Sequence, residues 1–209
     1  TAAMRGTRNQ PCDRLVLSGV GVASRADTPH VLSCAREWGM RHIVLHVGAE
    51  DLDGLDIEHL GRLVDTVVLP VQPGEGGALL QSGATAIRSF TGMGLEVVAN
   101  TVLSPTALPA LPAVARSLSR VRPNRVAFTY PFPISGGSGT DVSRIAAVVH
   151  ALQRVLPVLV GAGIGVSIKG LPACYLPKYK AAFRRSANRW YVDADHQLQE
   201  ALLFFPDVV

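Results

Sequence analysis

Six apolar runs recur along the chain at nearly constant spacing, and no other feature restricts its fold as tightly. Runs of strand character begin at Arg14, His42, Asp65, Leu95, Arg125 and Val158, so the successive steps are 28, 23, 30, 30 and 33 residues. Several are continuously apolar, as in Arg14-Leu15-Val16-Leu17 and His42-Ile43-Val44-Leu45-His46-Val47, the pattern of strands buried on both faces. Stretches with helical spacing fill the intervals: Pro29–Met40, Leu52–Leu63, Gly77–Met93, Leu108–Arg120 and Asp141–Leu156. Pro157 is expected to stop the last of these, leaving the sixth strand within Val158–Ile168. The alternation predicts an α/β fold, a six-unit parallel βα array. Six units fall short of the eight that close the usual barrel, which leaves a doubly wound sheet or a partial barrel.

Three segments are expected: an N-terminal polar tail over 1–13, the array over 14–170, and a C-terminal extension over 171–209 packed across it, with a helix at Asp195–Phe204. A content of 48% hydrophobic and 17% charged residues excludes a disordered chain. The longest apolar run, Val155–Val166, is broken by Pro157, Gly161, Gly163 and Gly165. It falls short of the roughly 18 to 20 residues that cross a bilayer, so no membrane span is expected. The excess of basic residues is densest over Lys178–Arg189, a solvated face or a surface for an acidic partner, and without a recognisable motif it does not argue for nucleic acid. Cys12, Cys34 and Cys174 are too few and too scattered for a disulfide framework or a zinc site, so a reducing, cytoplasmic setting and no metal ligands are expected.

In parallel βα folds ligands sit at the carboxyl ends of strands, and the site candidates are read from there. Ser18, Gly19 and Gly21 close the first strand, but no third glycine completes a dinucleotide fingerprint. Asn100 and Thr101 end the fourth strand, where polar side chains are costly unless something bonds them. Tyr130 ends the fifth and joins this cofactor-binding set, and the longer loops Gln72–Gly76 and Pro131–Thr140 would line the same mouth. Lys169, near the mouth, is an alternative catalytic group of the Schiff-base kind, with Gly161–Gly165 as an alternative phosphate loop. Cys174, between Pro172 and Pro177, is the second alternative for chemistry, whereas Cys34 reads as core. His42 and His46 share one strand face and read as packed histidines.

Together these segments resemble the radical SAM superfamily, whose partial (β/α)6 barrel has the same number of units. Leu15–Val22 followed by Arg25-Ala26-Asp27 looks like that family's second strand and its Gly-Gly-Glu-Pro turn, which holds the amino group of S-adenosylmethionine. His46-Val47-Gly48 stands where Thr-Asn-Gly is common, and Ala99–Leu103 resembles the strand facing the cofactor ribose. Lys169–Pro177 and Arg189–His196 are similar to the end of the core in a subgroup whose chain continues into a cysteine-containing extension. The family's Cys-x-x-x-Cys-x-x-Cys loop, whose thiolates hold three irons of a 4Fe-4S cluster, is absent from these residues. The glutamate of the turn is read as missing too, with Gly21 at its place and no carboxylate before Asp27.

The resemblance therefore implies a radical-SAM-like domain without its own cluster, acting as a binding or partner subunit. Its residual pocket would take a nucleoside such as S-adenosylmethionine, or a peptide. Its partner would be a protein or peptide, an active radical SAM paralogue among the candidates. Two alternatives stand beside it: a fragment of an active maturase, with an iron-sulfur cluster held by a segment outside these residues, or an aldolase-type or phosphate-binding barrel enzyme using Lys169.

Overall fold

The structure, a computed structural model, describes residues 13–52, 54–74, 77, 79–131, 144–183, 189–192 and 198–201. Strands β1 (Arg14–Leu17), β2 (His42–His46), β3 (Thr66–Pro70), β4 (Glu96–Val102), β5 (Arg125–Thr129) and β6 (Gly165–Lys169) form one sheet. Their order is β1-β2-β3-β4-β5-β6, and every neighbouring pair is parallel. Right-handed crossovers in an order that never reverses keep all the connections on one face. That is the winding of a barrel, because a doubly wound sheet reverses its order at a switch point. The sheet is a partial (β/α)6 barrel.

The helices are α1 (Thr28–Glu37), α2 (Ile57–Gly61), α3 (Gln81–Gly92), α4 (Leu111–Val121) and α5 (Ile145–Gly161). Each turns an apolar stripe inward, as α4 does with Leu111, Val114, Ala115, Leu118 and Val121. Alternate strand residues meet them: Val67 and Leu69, Val97 and Ala99, Val126 and Phe128 all belong to the buried cluster. Each such valine, leucine or phenylalanine contributes about 1.5–3 kcal/mol of transfer free energy. Turns at the amino ends are fixed by side chains. Asp65 accepts from Ile43 N at 2.6 Å and from Arg36 at 2.7 Å, and Asn124 Oδ1 accepts from Val97 N at 2.8 Å.

The opposite, concave face is layered. Thr66 Oγ1 donates to Glu96 Oε2 at 3.1 Å and lies 3.2 Å from His42 Nε2, while Arg125 reaches Glu96 Oε1 at 3.2 Å. This belt joins the first residues of four consecutive strands, and it is satisfied when His42 carries its proton on Nε2. Two residues further along each strand stand Val44, Val68, Val98 and Ala127. Val44 and Ala127 are buried, yet they lie outside the helix-side cluster.

Three expectations change at element level. α5 runs through Pro157 to Gly161, and the sixth strand starts at Gly165, well after Val158. The buried anchors Leu156 and Leu159 hold that last turn against the core despite the lost hydrogen bond. The helix expected at Asp195–Phe204 is a strand where it is described: β8 (Leu198–Ala201) pairs antiparallel with β7 (Arg189–Val192). The aromatic and β-branched run in β7 favours a strand, which needs a partner. In the extension Leu171 and Leu176 join the buried cluster, and Phe183 bridges to Ile168 beside β6. Most of the loop Pro131–Thr140, and the helix start at Asp141, lie outside the described residues.

Candidate binding site at the strand ends

β1 runs into the turn Ser18–Ser24, and β2 into Gly48–Asp51. Two carboxylates of the second loop close on the first. Glu50 Oε1 accepts from Gly21 N at 3.1 Å. Asp51, only 2% exposed, accepts from Ser24 Oγ at 2.5 Å and from Gly48 N at 3.0 Å. A side chain on Gly48 would collide with the Glu50 carboxylate, so glycine there lets Glu50 fold back over the loop. An acid therefore meets the turn from another loop. It arrives from 29 residues further along the chain, while no carboxylate stands between Gly21 and Asp27 in the sequence.

Asp27 serves elsewhere. Arg25 donates to both its oxygens, at 2.8 and 2.9 Å, and these charged hydrogen bonds hold the Asp27 carboxyl below its ordinary range and the Arg25 guanidinium above its own. The signal for Glu50 was present in the sequence. β1 and β2 are neighbours in the sheet, and Gly48-Ala49-Glu50 follows β2 after Val47.

On the concave face, Thr129 Oγ1 donates to Asn100 Oδ1 at 2.9 Å. Strand alternation puts His46 and Lys169 on the same face, and Lys169 is the register partner of Thr129. Ser18 and Gly19 are exposed at the rim and Gly21 is partly covered. Asn100 and Thr101, read as a pair, are separated by the sheet: Thr101 is 3% exposed, and its hydroxyl has no partner among the described residues. Tyr130 is half-buried just beyond β5. Its carbonyl backs onto Gly170, where φ is +80° and no side chain fits. A shallow pocket of about 180 Å³ lies beside the rim, between Ser24, Arg25, Leu55 and His59.

Cys174 is exposed in a short 3-10 turn over Ala173–Tyr175, and Cys34 is half-buried on α1 beside His30, on a face turned away from the core. The β1 turn contains no cysteine, and no three His, Cys, Asp or Glu side chains gather among the described residues. These residues do not fit a 4Fe-4S cluster.

The fold, a partial (β/α)6 barrel, is similar to solved structures of SuiB and of a pyruvate-formate lyase-activating enzyme domain. SuiB from Streptococcus suis superimposes with a TM-score of 0.66 at 12% identity over 85% of this chain. The same enzyme bound to its precursor peptide SuiA gives 0.67, and bound to S-adenosylmethionine 0.64. A domain of pyruvate-formate lyase-activating enzyme from Bacteroides vulgatus gives 0.54 at 10% identity, over 75% of this chain and 98% of that one. The chain spans 44% of the length of SuiB. No family model and no curated protein matches the sequence. Among the described residues no helix is long and apolar enough to cross a membrane.

Proposed function

We propose that this chain is a binding domain of radical SAM fold, without an iron-sulfur cluster of its own, that works beside a protein or peptide partner. Its mouth takes a nucleoside carrying an amino-acid group, S-adenosylmethionine or its demethylated product. The observation that carries this reading is Glu50, a carboxylate set against the Gly21 N–H at the end of the second strand, where an ammonium group would bind. Similarity to a fold solved with S-adenosylmethionine and with a precursor peptide supports both ligand classes. The three cysteines of the sequence, at 12, 34 and 174, support a noncatalytic role.

The test is thermal unfolding with S-adenosylmethionine, S-adenosylhomocysteine and adenosine. At a hundredfold excess over Kd a ligand stabilises by about 2.7 kcal/mol, which raises Tm by about 5 °C or more in a domain of this size. Glu50→Gln removes the gain from the two amino-acid-bearing ligands and leaves that from adenosine. Silence with all three, or an undiminished response in Glu50→Gln, overturns the assignment of the mouth. Anaerobic assembly of a stoichiometric 4Fe-4S cluster that cleaves S-adenosylmethionine to 5′-deoxyadenosine overturns the noncatalytic role.

A further inference from the structure

The outer faces of α3, α4 and α5 carry arginines that no carboxylate of the chain meets. At about 100° per residue, Arg116 and Arg120 stand opposite the buried stripe of α4, and Arg88 and Arg154 lie outside the stripes of α3 and α5. All four are exposed, and none is in an ion pair among the described residues. α4 packs between α3 and α5. Arg88, Arg116 and Arg154 precede the helix ends Gly92, Val121 and Gly161 by four, five and seven residues, so they form a row at similar height around the barrel. Elsewhere the chain pairs its arginines: Arg25, Arg36, Arg41, Arg62 and Arg125 each meet a carboxylate. Arg122 adds an independent observation. It closes α4 in the left-handed conformation, φ +52°, where glycine is favoured, and it is the one non-glycine residue with positive φ among those described. An exposed cation is kept there against the local backbone preference.

We propose that this row docks an acidic segment of a protein partner, laid across α3, α4 and α5 with its carboxylates on Arg88, Arg116 and Arg154, while Arg120 and Arg122 extend the contact along α4. The inference gives a chemistry to the partner of the reading above, and rests on that reading for there being one. Packed helices lie about 8–10 Å apart, and an extended chain rises about 3.3 Å per residue, so an acid at every third position meets one arginine after another. Guanidinium forks bind carboxylates with two parallel hydrogen bonds, which suits them to such a segment. A second copy of this chain is a poor occupant. Its Asp13, Asp27, Glu58 and Asp65 are engaged in its own ion pairs, Asp51 is buried, and Glu50 holds the Gly21 N–H. Nucleic acid fits less well, because one arginine per about 10 Å is sparse against one phosphate per about 1.7 Å of duplex. These three helices also expose no Phe, Tyr or Trp on which a base could stack.

The experiment uses the full 209-residue chain, free of affinity tags. Its probe is a fluorescein-labelled peptide of repeating Glu-Ser-Gly, followed by anisotropy at low and at physiological ionic strength, with repeating Gln-Ser-Gly and single-stranded poly-dT alongside. Saturable binding of the glutamate peptide is expected, weakening as salt rises. An exposed ion pair contributes up to about fivefold in affinity, so Arg116→Gln with Arg154→Gln lowers it several-fold, mainly by slower association. Lys178→Gln with Lys180→Gln, both exposed and outside the three helices, changes the net charge equally and leaves the affinity unchanged. Arg122→Gly separates docking from folding: it relieves the left-handed residue and raises Tm by about 2–4 °C, yet it weakens binding. Equal loss in the lysine variant, equal binding of the glutamine peptide, tighter binding of poly-dT, or full affinity in either arginine variant overturns the proposal. The arginine variants keep their thermal response to S-adenosylmethionine, so a failure here leaves the mouth to its own test.

Discussion

Asp51 sits where two loops meet, buried, with a serine hydroxyl and a backbone N–H both donating to it. Asp51→Ala leaves Ser24 Oγ and Gly48 N without their acceptor and takes away the tie between the β1 and β2 loops. Charged hydrogen bonds of this kind contribute about 1.5–3 kcal/mol, so the variant is expected to lose about 2–4 kcal/mol. Urea unfolding checks it: the midpoint falls and the m-value stays, whereas an unchanged midpoint removes the clamp from the account. At this scale the sequence was legible for contacts within a strand and illegible across loops. Alternation separates Asn100 from Thr101 by itself, a rule readable without coordinates. That Glu50 bonds Gly21 depends on β1 and β2 lying side by side, and local spacing does not record it.

Between elements, the period of the apolar runs located all six parallel strands, even β1, which lies at the sheet edge and leaves Val16 42% exposed. Boundaries were harder wherever a helix and a strand share apolar composition. Val155–Ile168 reads equally well either way, and the structure divides it after Gly161, at a left-handed Gly163 with φ +77°. Pro157 is exposed inside α5, so its ring disturbs the helix without filling any core space. Pro157→Ala restores a backbone donor and is expected to raise stability by about 1–3 kcal/mol, measured as a higher unfolding midpoint. A drop would mean that the proline shapes the turn into β6.

The whole molecule is polarised in charge. Residues 13–75 hold ten Asp and Glu against five Arg, while residues 76–192 hold thirteen Lys and Arg against two carboxylates, Glu96 and Asp141. Arg88 on α3, Arg116 and Arg120 on α4 and Arg154 on α5 are all exposed, and among the described residues none of them is in an ion pair. Arg116→Glu replaces an i,i+4 repulsion with an attraction and should gain about 0.5 kcal/mol. It should also elute from a cation exchanger at lower salt at pH 7, and unchanged elution would show that this face does not govern retention. Composition revealed the imbalance but not its place. The winding of the sheet was equally hidden, because a regular βα count suits an open sheet and a barrel alike until the strand order is known.

The apolar level of the concave face, Val44, Val68, Val98 and Ala127, separates two polar levels, the belt from His42 to Arg125 below and Asn100 with Thr129 above. From His42 to His46 the strand rises about 13 Å. The valines act as a gasket. They part the lumen into two polar levels, so a group seated beside Asn100 and Thr129 is held away from the His42–Arg125 belt by a layer that neither donates nor accepts a hydrogen bond.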